Sequence, residues 1–203
     1  MCKGRWLSAA KTVELFSAPM LQRDYEEETF LKRLIALLMA LLLWLTPALG
    51  EELEVLVEDG VAVTEDLVVE YGYDYSSPEE VALYLYVFVE LPPNFITKDE
   101  ARELGWVSSE GNLWDVTDGM SIGGDIFGNR EGLLPEEADR VWYECDVNYE
   151  GGFRGGERVV FSDDGLIYYT ADHYESFELM YDGWYEGDLD MGDYADEYWA
   201  DAA

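Results

Sequence analysis

The residue types best suited to acid–base chemistry lie in the second half of the chain. Glu144 precedes a turn flanked by Arg154 and Arg158, and His173 follows further along. Cleavage of RNA through its own 2′-hydroxyl needs such a set, because one group must remove the 2′ proton and another must protonate the departing 5′ oxygen. Fixed cations must also hold the charge that builds on phosphorus. On these residues alone this chemistry is a hypothesis, since a lone histidine is more often structural and Glu144 is one of 45 acidic residues.

The charge balance makes the remaining cations conspicuous. The 203 residues include 45 acidic and 12 basic ones, for a formal charge of −33. Such a field repels RNA, DNA and anionic lipid, so a nucleic-acid function has to overcome it. Six basic residues lie before Gly50, and the six after it are Lys98, Arg102, Arg130, Arg140, Arg154 and Arg158. Each of these six is a candidate for a functional contact, although any one of them could instead pair with a neighbouring carboxylate.

A leader is predicted at residues 1–50. Lys32 and Arg33 precede an uncharged apolar run at 34–45, and Ala48-Leu49-Gly50 is a small-x-small cleavage pattern. The run is well short of the roughly 20 residues that span a membrane, so cleavage after Gly50 is favoured over an uncleaved anchor. The interpretation is a secreted, extracellular protein without stable membrane association.

No metal or cofactor is expected. One histidine and no CxxC motif cannot build a zinc site. Cys2 and Cys145 fall on opposite sides of the proposed cleavage point, which excludes an intrachain disulfide from the mature chain. Cys145 is therefore interpreted as a small buried apolar residue.

The elements that position the candidate residues start with helices. Residues 51–76 alternate acidic and β-branched side chains and are interpreted as an acidic linker or marginal strands. Ser77-Pro78-Glu79-Glu80 predicts a helix start, and the helix should reach about Val89 before the Pro92-Pro93 pair. A capping box at Thr97 to Glu100 predicts a second short helix, which Gly105 closes.

Strands are predicted after the helices, at 141–147, 157–161, 166–170 and 177–181. This order indicates a single α+β domain, with N-terminal helices packed on a C-terminal antiparallel sheet. Residues 182–203 repeat Gly, Asp, Tyr and Trp without a basic residue, so this acidic aromatic tail is predicted to be disordered or loosely packed.

Ordered motifs run from Ser77 to about Tyr181. They are 91–98, 104–107, 111–113, 121–127, 129–132, 146–149, 152–154 and 170–174. Together they resemble the barnase-like, guanyl-preferring family of microbial ribonucleases. The resemblance covers about half of the chain and implies a ribonuclease domain at 77–181 with the microbial ribonuclease fold.

The resemblance implies a role for each matching residue. Glu144 takes the general-base position and His173 the general-acid position, and the product is a 2′,3′-cyclic phosphate that water later opens. Lys98, Arg154 and Arg158 match the cations that stabilise the transition state. The residues implied in substrate binding are Phe127, Gly128, Asn129, Arg130 and Glu131 of the guanine-reading loop, together with Phe153 and Tyr174 near a nucleotide.

Structural roles compete with some of these assignments. Asp125, Asn129 and Arg130 could instead hold the loop, and the resemblance pairs Arg140 with Asp164 as a structural contact. The implied partner is single-stranded RNA, the expected state is a monomer, and a barstar-like protein inhibitor is implied by the family. Two alternatives stay open: a catalytically silent secreted binding module, and a ribonuclease toxin with a dedicated inhibitor.

The acidity of the domain calls for its own hypothesis. From Asp66 to Glu178 there are 26 acidic and six basic residues, a balance of −20. Salt at 0.1 M screens charges beyond roughly 10 Å but spares contacts inside a cleft. The sequence therefore predicts tuning to a salty, acidic or polycation-rich exterior, with activity that rises at moderate salt before it falls.

Overall fold

A computed structural model of the chain describes residues 54–195. The leader at 1–50, with its apolar run at 34–45, and the end of the tail at 196–203 lie outside the described residues. Within 54–195 no helix is long and apolar enough to cross a membrane.

Within residues 54–195 there are three α-helices, and local sequence signals mark the first two. Helix α1 (Pro78–Phe88) begins at Ser77, whose hydroxyl accepts from the Glu80 N–H, and it ends at Val89 in the left-handed conformation. Helix α2 (Lys98–Glu103) carries the complete capping box of Thr97 and Glu100. The predicted ends of both helices are confirmed within one residue at most. Helix α3 (Leu113–Val116) is one turn long and was not predicted.

The main sheet has six strands in the order β4-β5-β6-β7-β8-β9. They are β4 (Phe95–Ile96), β5 (Ser121–Phe127), β6 (Trp142–Asp146), β7 (Arg158–Ser162), β8 (Leu166–Thr170) and β9 (Glu178–Asp182). Five strands form an antiparallel run, but β4 pairs with β5 in parallel. The α+β class is confirmed, while the expectation of a purely antiparallel sheet is corrected to a mixed one. The parallel pair is possible because α2 and α3 supply the crossover between β4 and β5.

One face of α1 packs on the sheet. Val81, Ala82 and Leu85 are fully buried and contact a cluster from the strands, made up of Cys145, Val147, Val159 and Ile167. Cys145 is 1% exposed, which confirms the prediction of a small buried residue, and burial raises the pKa of its thiol. This core fixes β6, β7 and β8, the strands from which the candidate site is built.

The other face of α1 carries a second small sheet. Strands β1 (Leu56–Glu58), β2 (Val61–Val63) and β3 (Val68–Glu70) form an antiparallel meander. Ala62 and Val69 are fully buried against this face of the helix. Of the two sequence interpretations, the linker is wrong and the strands are right, because the alternation places every second apolar side chain on the helix.

The segment after β9 packs against the meander. Met191 is 2% exposed in the same apolar cluster. The Gly60 N–H donates to the Asp190 carbonyl at 2.8 Å, and the Tyr194 hydroxyl donates to Glu70 Oε1 at 2.9 Å. The prediction of a loose tail is therefore wrong for residues up to 195. The aromatic and methionine side chains of this segment supply apolar area, which the high count of acidic residues did not indicate. We call residues 54–71 and 185–195 together the clasp.

Candidate active site

The carboxylate of Glu144 is held between two donors. Glu144 lies on β6 directly opposite Asp125 on β5. Lys98 Nζ is 2.6 Å from Glu144 Oε1 and 3.8 Å from Asp125 Oδ2, while the Lys98 backbone N–H donates to Asp125 Oδ2 at 3.0 Å. The Tyr174 hydroxyl donates to Glu144 Oε2 at 2.6 Å. Asp125 thus positions Lys98, the first residue of α2, whose side chain contacts the candidate base.

These contacts decide the ionisation of Glu144. Burial, which leaves the residue 8% exposed, raises its pKa, but the hydrogen bonds from Lys98 and Tyr174 and the charges of Lys98 and Arg158 lower it by more. The net pKa lies below the ordinary value, so Glu144 is a carboxylate at neutral pH. Burial and the bond to Glu144 raise the pKa of Tyr174 to about 12, which keeps its hydroxyl protonated and donating.

Two arginines share one buried carboxylate. Asp146 is 2% exposed and stands two residues after Glu144, so both side chains project from the same face of β6. Arg154 Nη2 donates to Asp146 Oδ1 at 2.6 Å, and Arg158 Nε lies 2.8 Å from the same oxygen in an ion pair. Arg158 Nε is buried without a hydrogen-bond partner among the described residues, and Arg158 Nη1 donates to the Glu157 carbonyl.

Asp146 therefore fixes both guanidinium groups before substrate arrives. Burial lowers the pKa of Arg154, but the hydrogen bonds and charge of Asp146 raise it by more, so the cation is secured. Cations held in place need no reorganisation when charge develops on a phosphate.

His173 is presented by a strained loop after β8. The backbone N–H of His173 donates to the Gly156 carbonyl at 3.2 Å, and the His173 ring centroid is 4.8 Å from that of Tyr174. Both residues have positive φ, 59° and 72°. Asp172 shapes the loop by accepting from the Ser176 N–H and hydroxyl, while Thr170 accepts from the Tyr174 N–H. Non-glycine residues in the left-handed backbone conformation cluster at functional sites, and here two of them are consecutive.

The exposed His173 and the two arginines line one open cleft of about 520 Å³. The other lining residues are Ser108, Phe153, Gly155 and Gly156. Tyr174 links this cleft to Glu144, because it hydrogen-bonds the carboxylate and its ring contacts that of His173. All five predicted catalytic residues are therefore gathered in one connected region: Lys98, Glu144, Arg154, Arg158 and His173.

The predicted base-reading loop begins beside Tyr174. Phe127 ends β5 with its ring centroid 5.1 Å from that of Tyr174. Asn129 has a φ of 36° and uses its side chain twice on Leu134, donating to the carbonyl and accepting from the N–H at 3.0 and 3.1 Å. Asn129 therefore holds the loop, as the competing interpretation proposed.

The rest of this loop is open to solvent. Glu131 and Arg130 are exposed, and within residues 54–195 neither side chain forms an ion pair. The stem of Arg130 lies over Gly128, about 3.5 Å from where a Cβ would stand. Both charged side chains are free to meet a ligand.

Sequence reasoning missed Asp146 as a site residue. Its signal was present, since the spacing of Glu144 and Asp146 in a strand places two acids on one face. Arg140 binds Asp164 through Nε at 2.8 Å and Nη2 at 2.6 Å, which confirms the expected structural pair. Among the described residues no group of histidines, cysteines and acids is arranged to hold a metal ion.

The matching family model and the most similar sequences are described as ribonucleases. The family model described as ribonuclease matches residues 82–181. A ribonuclease of Heyndrickxia coagulans is 56% identical over 97 residues, which are 48% of this chain and 89% of that protein. A ribonuclease of Bacillus intermedius is also 56% identical over 97 residues, here 60% of the relative's length.

More distant matches are shorter or weaker. The guanyl-specific ribonuclease St of Saccharopolyspora erythraea is 47% identical over 57 residues, 28% of this chain and 56% of that protein. The crystal structure of ribonuclease Sa2 with guanosine-2′-cyclophosphate matches 46% of this chain and 89% of its own, with 24% identity and a TM-score of 0.26.

Proposed function

The chain belongs to the ribonuclease family, and from that premise we propose that residues 77–181 form a secreted endoribonuclease that cleaves single-stranded RNA after guanosine. The observation that carries the proposal is the buried Glu144 carboxylate, held by Lys98 and Tyr174 with its pKa lowered, next to a cleft that contains His173 and two arginines. A base, an acid and fixed cations are the minimum for this reaction.

In the first step Glu144 removes the proton from the 2′-hydroxyl, and the 2′ oxygen attacks phosphorus. Both Glu144 oxygens already accept hydrogen bonds, so one of them exchanges its donor for the substrate hydroxyl. Arg154, Arg158 and Lys98 hold the charge that builds on the phosphate oxygens. His173 donates its proton to the departing 5′ oxygen as the P–O bond breaks, which leaves a 2′,3′-cyclic phosphate.

In the second step water opens the cyclic phosphate with the roles reversed. The neutral His173 now accepts a proton from water, and the protonated Glu144 returns its proton to the 2′ oxygen. The enzyme regains its starting protonation state, and the product is a 3′-phosphate. No metal or cofactor enters either step.

Guanosine preference is proposed for the exposed loop at 127–131. The relative St is named a guanyl-specific ribonuclease. The free carboxylate of Glu131 can accept from the N1 and N2 donors of guanine, and the family resemblance implies further contacts from backbone amides of the loop. Phe127 contacts Tyr174, which hydrogen-bonds Glu144, and this link supports a guanosine site beside the catalytic carboxylate.

The setting of the enzyme is also a proposal. The leader at 1–50 supports export, and a monomer is expected. Since the family implies a barstar-like inhibitor of acidic character, the balance of −20 across 66–178 would weaken attraction to such a protein as well as to RNA. Moderate salt should therefore raise activity before higher salt breaks the phosphate contacts.

The test is cleavage of GpN dinucleotides by the chain from residue 51 onward over a range of salt. Wild type should release guanosine 2′,3′-cyclic phosphate, and Glu144→Ala and His173→Ala should both lose it. Glu136→Ala, which removes another exposed acid, is the matched control and should keep activity. No cleavage at any salt by a folded protein would instead identify the silent binding module, and inhibition from the lowest salt upward would refute the account of the acidity.

A further inference from the structure

Trp114 is a large aromatic residue outside the catalytic set. It lies on the single turn of α3 and is 42% exposed. Its Nε1–H donates to the Met120 carbonyl at 2.9 Å, which fixes the plane of the indole. Its ring packs edge-to-face on Tyr149, with centroids 5.5 Å apart and an interplanar angle of 77°. An indole held by its polar end and left half exposed is placed to support something beside it.

That neighbour is the loop at 149–153, which leads from β6 into the cleft. Gly151 has a φ of 86°, and a Cβ on it would stand 2.7 Å from Trp114 Cε3. The Tyr149 hydroxyl donates to the Gly152 carbonyl at 2.9 Å. From the same side, a Cβ on Gly111 would stand 2.9 Å from the Gly152 carbonyl carbon. The backbone of this loop therefore lies directly on Trp114 and on the segment that precedes α3.

The loop delivers two residues to the cleft, and they are anchored differently. The Arg154 side chain is fixed by Asp146. Phe153 is 72% exposed, and no hydrogen bond can hold its side chain, so its place depends on the backbone before it. Trp114 is the aromatic side chain that contacts this backbone at Gly151.

Phe153 faces the departing part of the substrate in the proposed mechanism. It lines the cleft together with His173, which protonates the leaving 5′ oxygen. Nucleotides after the scissile phosphate must therefore pass Phe153. Stacking of a base on an exposed aromatic ring is tolerant of sequence and contributes to single-strand binding.

We infer that Trp114 is a positioning residue for substrate binding: it supports the loop at 149–153 so that Phe153 stacks on bases that follow the scissile phosphate. The inference rests on the proposed ribonuclease function. It makes Trp114 act through Phe153 on substrate affinity, without a part in the chemical step.

The experiment uses an RNA oligonucleotide with one guanosine followed by three adenosines. Its analogue with 2′-deoxyguanosine lacks the attacking hydroxyl and serves as a binding probe. Trp114→Ala should raise KM, and Kd for the analogue, about 5-fold, the lower end of measured stacking contributions, with kcat within about 2-fold of wild type. Trp114→Phe keeps a ring over Gly151 but loses the Nε1 donor, so it should recover part of the affinity. Leu104→Ala, which removes another exposed apolar side chain, is the control and should match wild type.

A double-mutant cycle separates positioning from general stability. If Trp114 acts through Phe153, the Trp114→Ala/Phe153→Ala protein should bind no more weakly than Phe153→Ala alone. Additive effects, unchanged affinity in Trp114→Ala, or an equal fall in kcat for folded variants would each overturn the inference. If Trp114→Ala does not fold, Trp114→Phe carries the cycle. If wild type binds the analogue but cleaves no RNA, the proposed function fails while the binding cycle still judges Trp114.

Discussion

Replacing Lys98 by methionine should move the acid limb of the pH–rate profile to higher pH. Methionine keeps an unbranched stem of similar length and removes the charge 2.6 Å from Glu144 Oε1. Burial, the largest influence on Glu144, raises its pKa and would then be opposed only by Tyr174 and Arg158. Glu144 must be ionised to accept the 2′ proton, so a raised pKa means that activity is lost at a higher pH as the solution is acidified.

The size of the effect follows from the exposure of the pair. The two side chains are 24% and 11% exposed, so solvent screens them little. A hydrogen bond to a charged group is worth roughly 1.5–3 kcal/mol, and about 1.4 kcal/mol corresponds to a factor of ten. At a given acidic pH the ratio of ionised to protonated Glu144 should therefore fall about 10- to 100-fold in Lys98→Met.

The assay is kcat/KM for GpN cleavage across the acid and neutral range. The plateau is expected to fall as well, because Lys98 also faces the phosphate, and only the position of the limb reports on Glu144. Arg102→Met is the matched control, since Arg102 is a cation on the same helix that pairs with Asp99 and is 57% exposed. A lower plateau with the limb unmoved, or moved to lower pH, would refute the reasoning and leave Lys98 acting on the phosphate alone.

Two further predictions concern stability. Val89→Gly should stabilise the protein by about 1 kcal/mol in urea unfolding, because Val89 has a φ of 60° and is 51% exposed, and the left-handed conformation costs an L-residue roughly 1–2 kcal/mol; an unchanged or lower midpoint would contradict this. Tyr194→Phe removes the hydroxyl that donates to the carboxylate of Glu70, a residue that is only 4% exposed. The substitution should lower the free energy of unfolding by about 1.5–3 kcal/mol and leave kcat on GpN unchanged. Equal stability of Tyr194→Phe and wild type would show that this bond does not hold the clasp.

Elements set by interactions between residues close in sequence were predictable, and elements set by contacts between distant residues were not. The start of α1 at Ser77 and the capping box at Thr97 were predictable because a few adjacent residues decide them. Strand β5 was not, because it contains Gly123 and Gly124, which weaken strand propensity. Its reason is tertiary: a Cβ on Gly123 would stand 2.7 Å from both Cys145 Cβ and Phe95 Cδ1. No local pattern reveals that constraint.

The site divides in the same way. Glu144, His173 and the cations were predicted from motifs, and the structure brings them together. The pairing of both arginines with Asp146 could not be read from composition, because a chain with 45 acids offers each cation many partners. The prediction for the tail was wrong for a related reason. Acidic residues dominate the composition of the tail, whereas Met191 and the tyrosines make its packing contacts.

The clasp sets an order of events during synthesis. Val55 receives its hydrogen bond from Tyr185, 130 residues later, and Glu70 receives its bond from Tyr194, 124 residues later. At about 5–20 residues per second a ribosome needs roughly 7 to 26 seconds to make 130 residues. Throughout that interval the apolar cluster shared by the meander and α1 lacks Met191, Tyr185 and Tyr194. The emerging chain therefore carries an incomplete apolar cluster until all of residues 77–181 have been made.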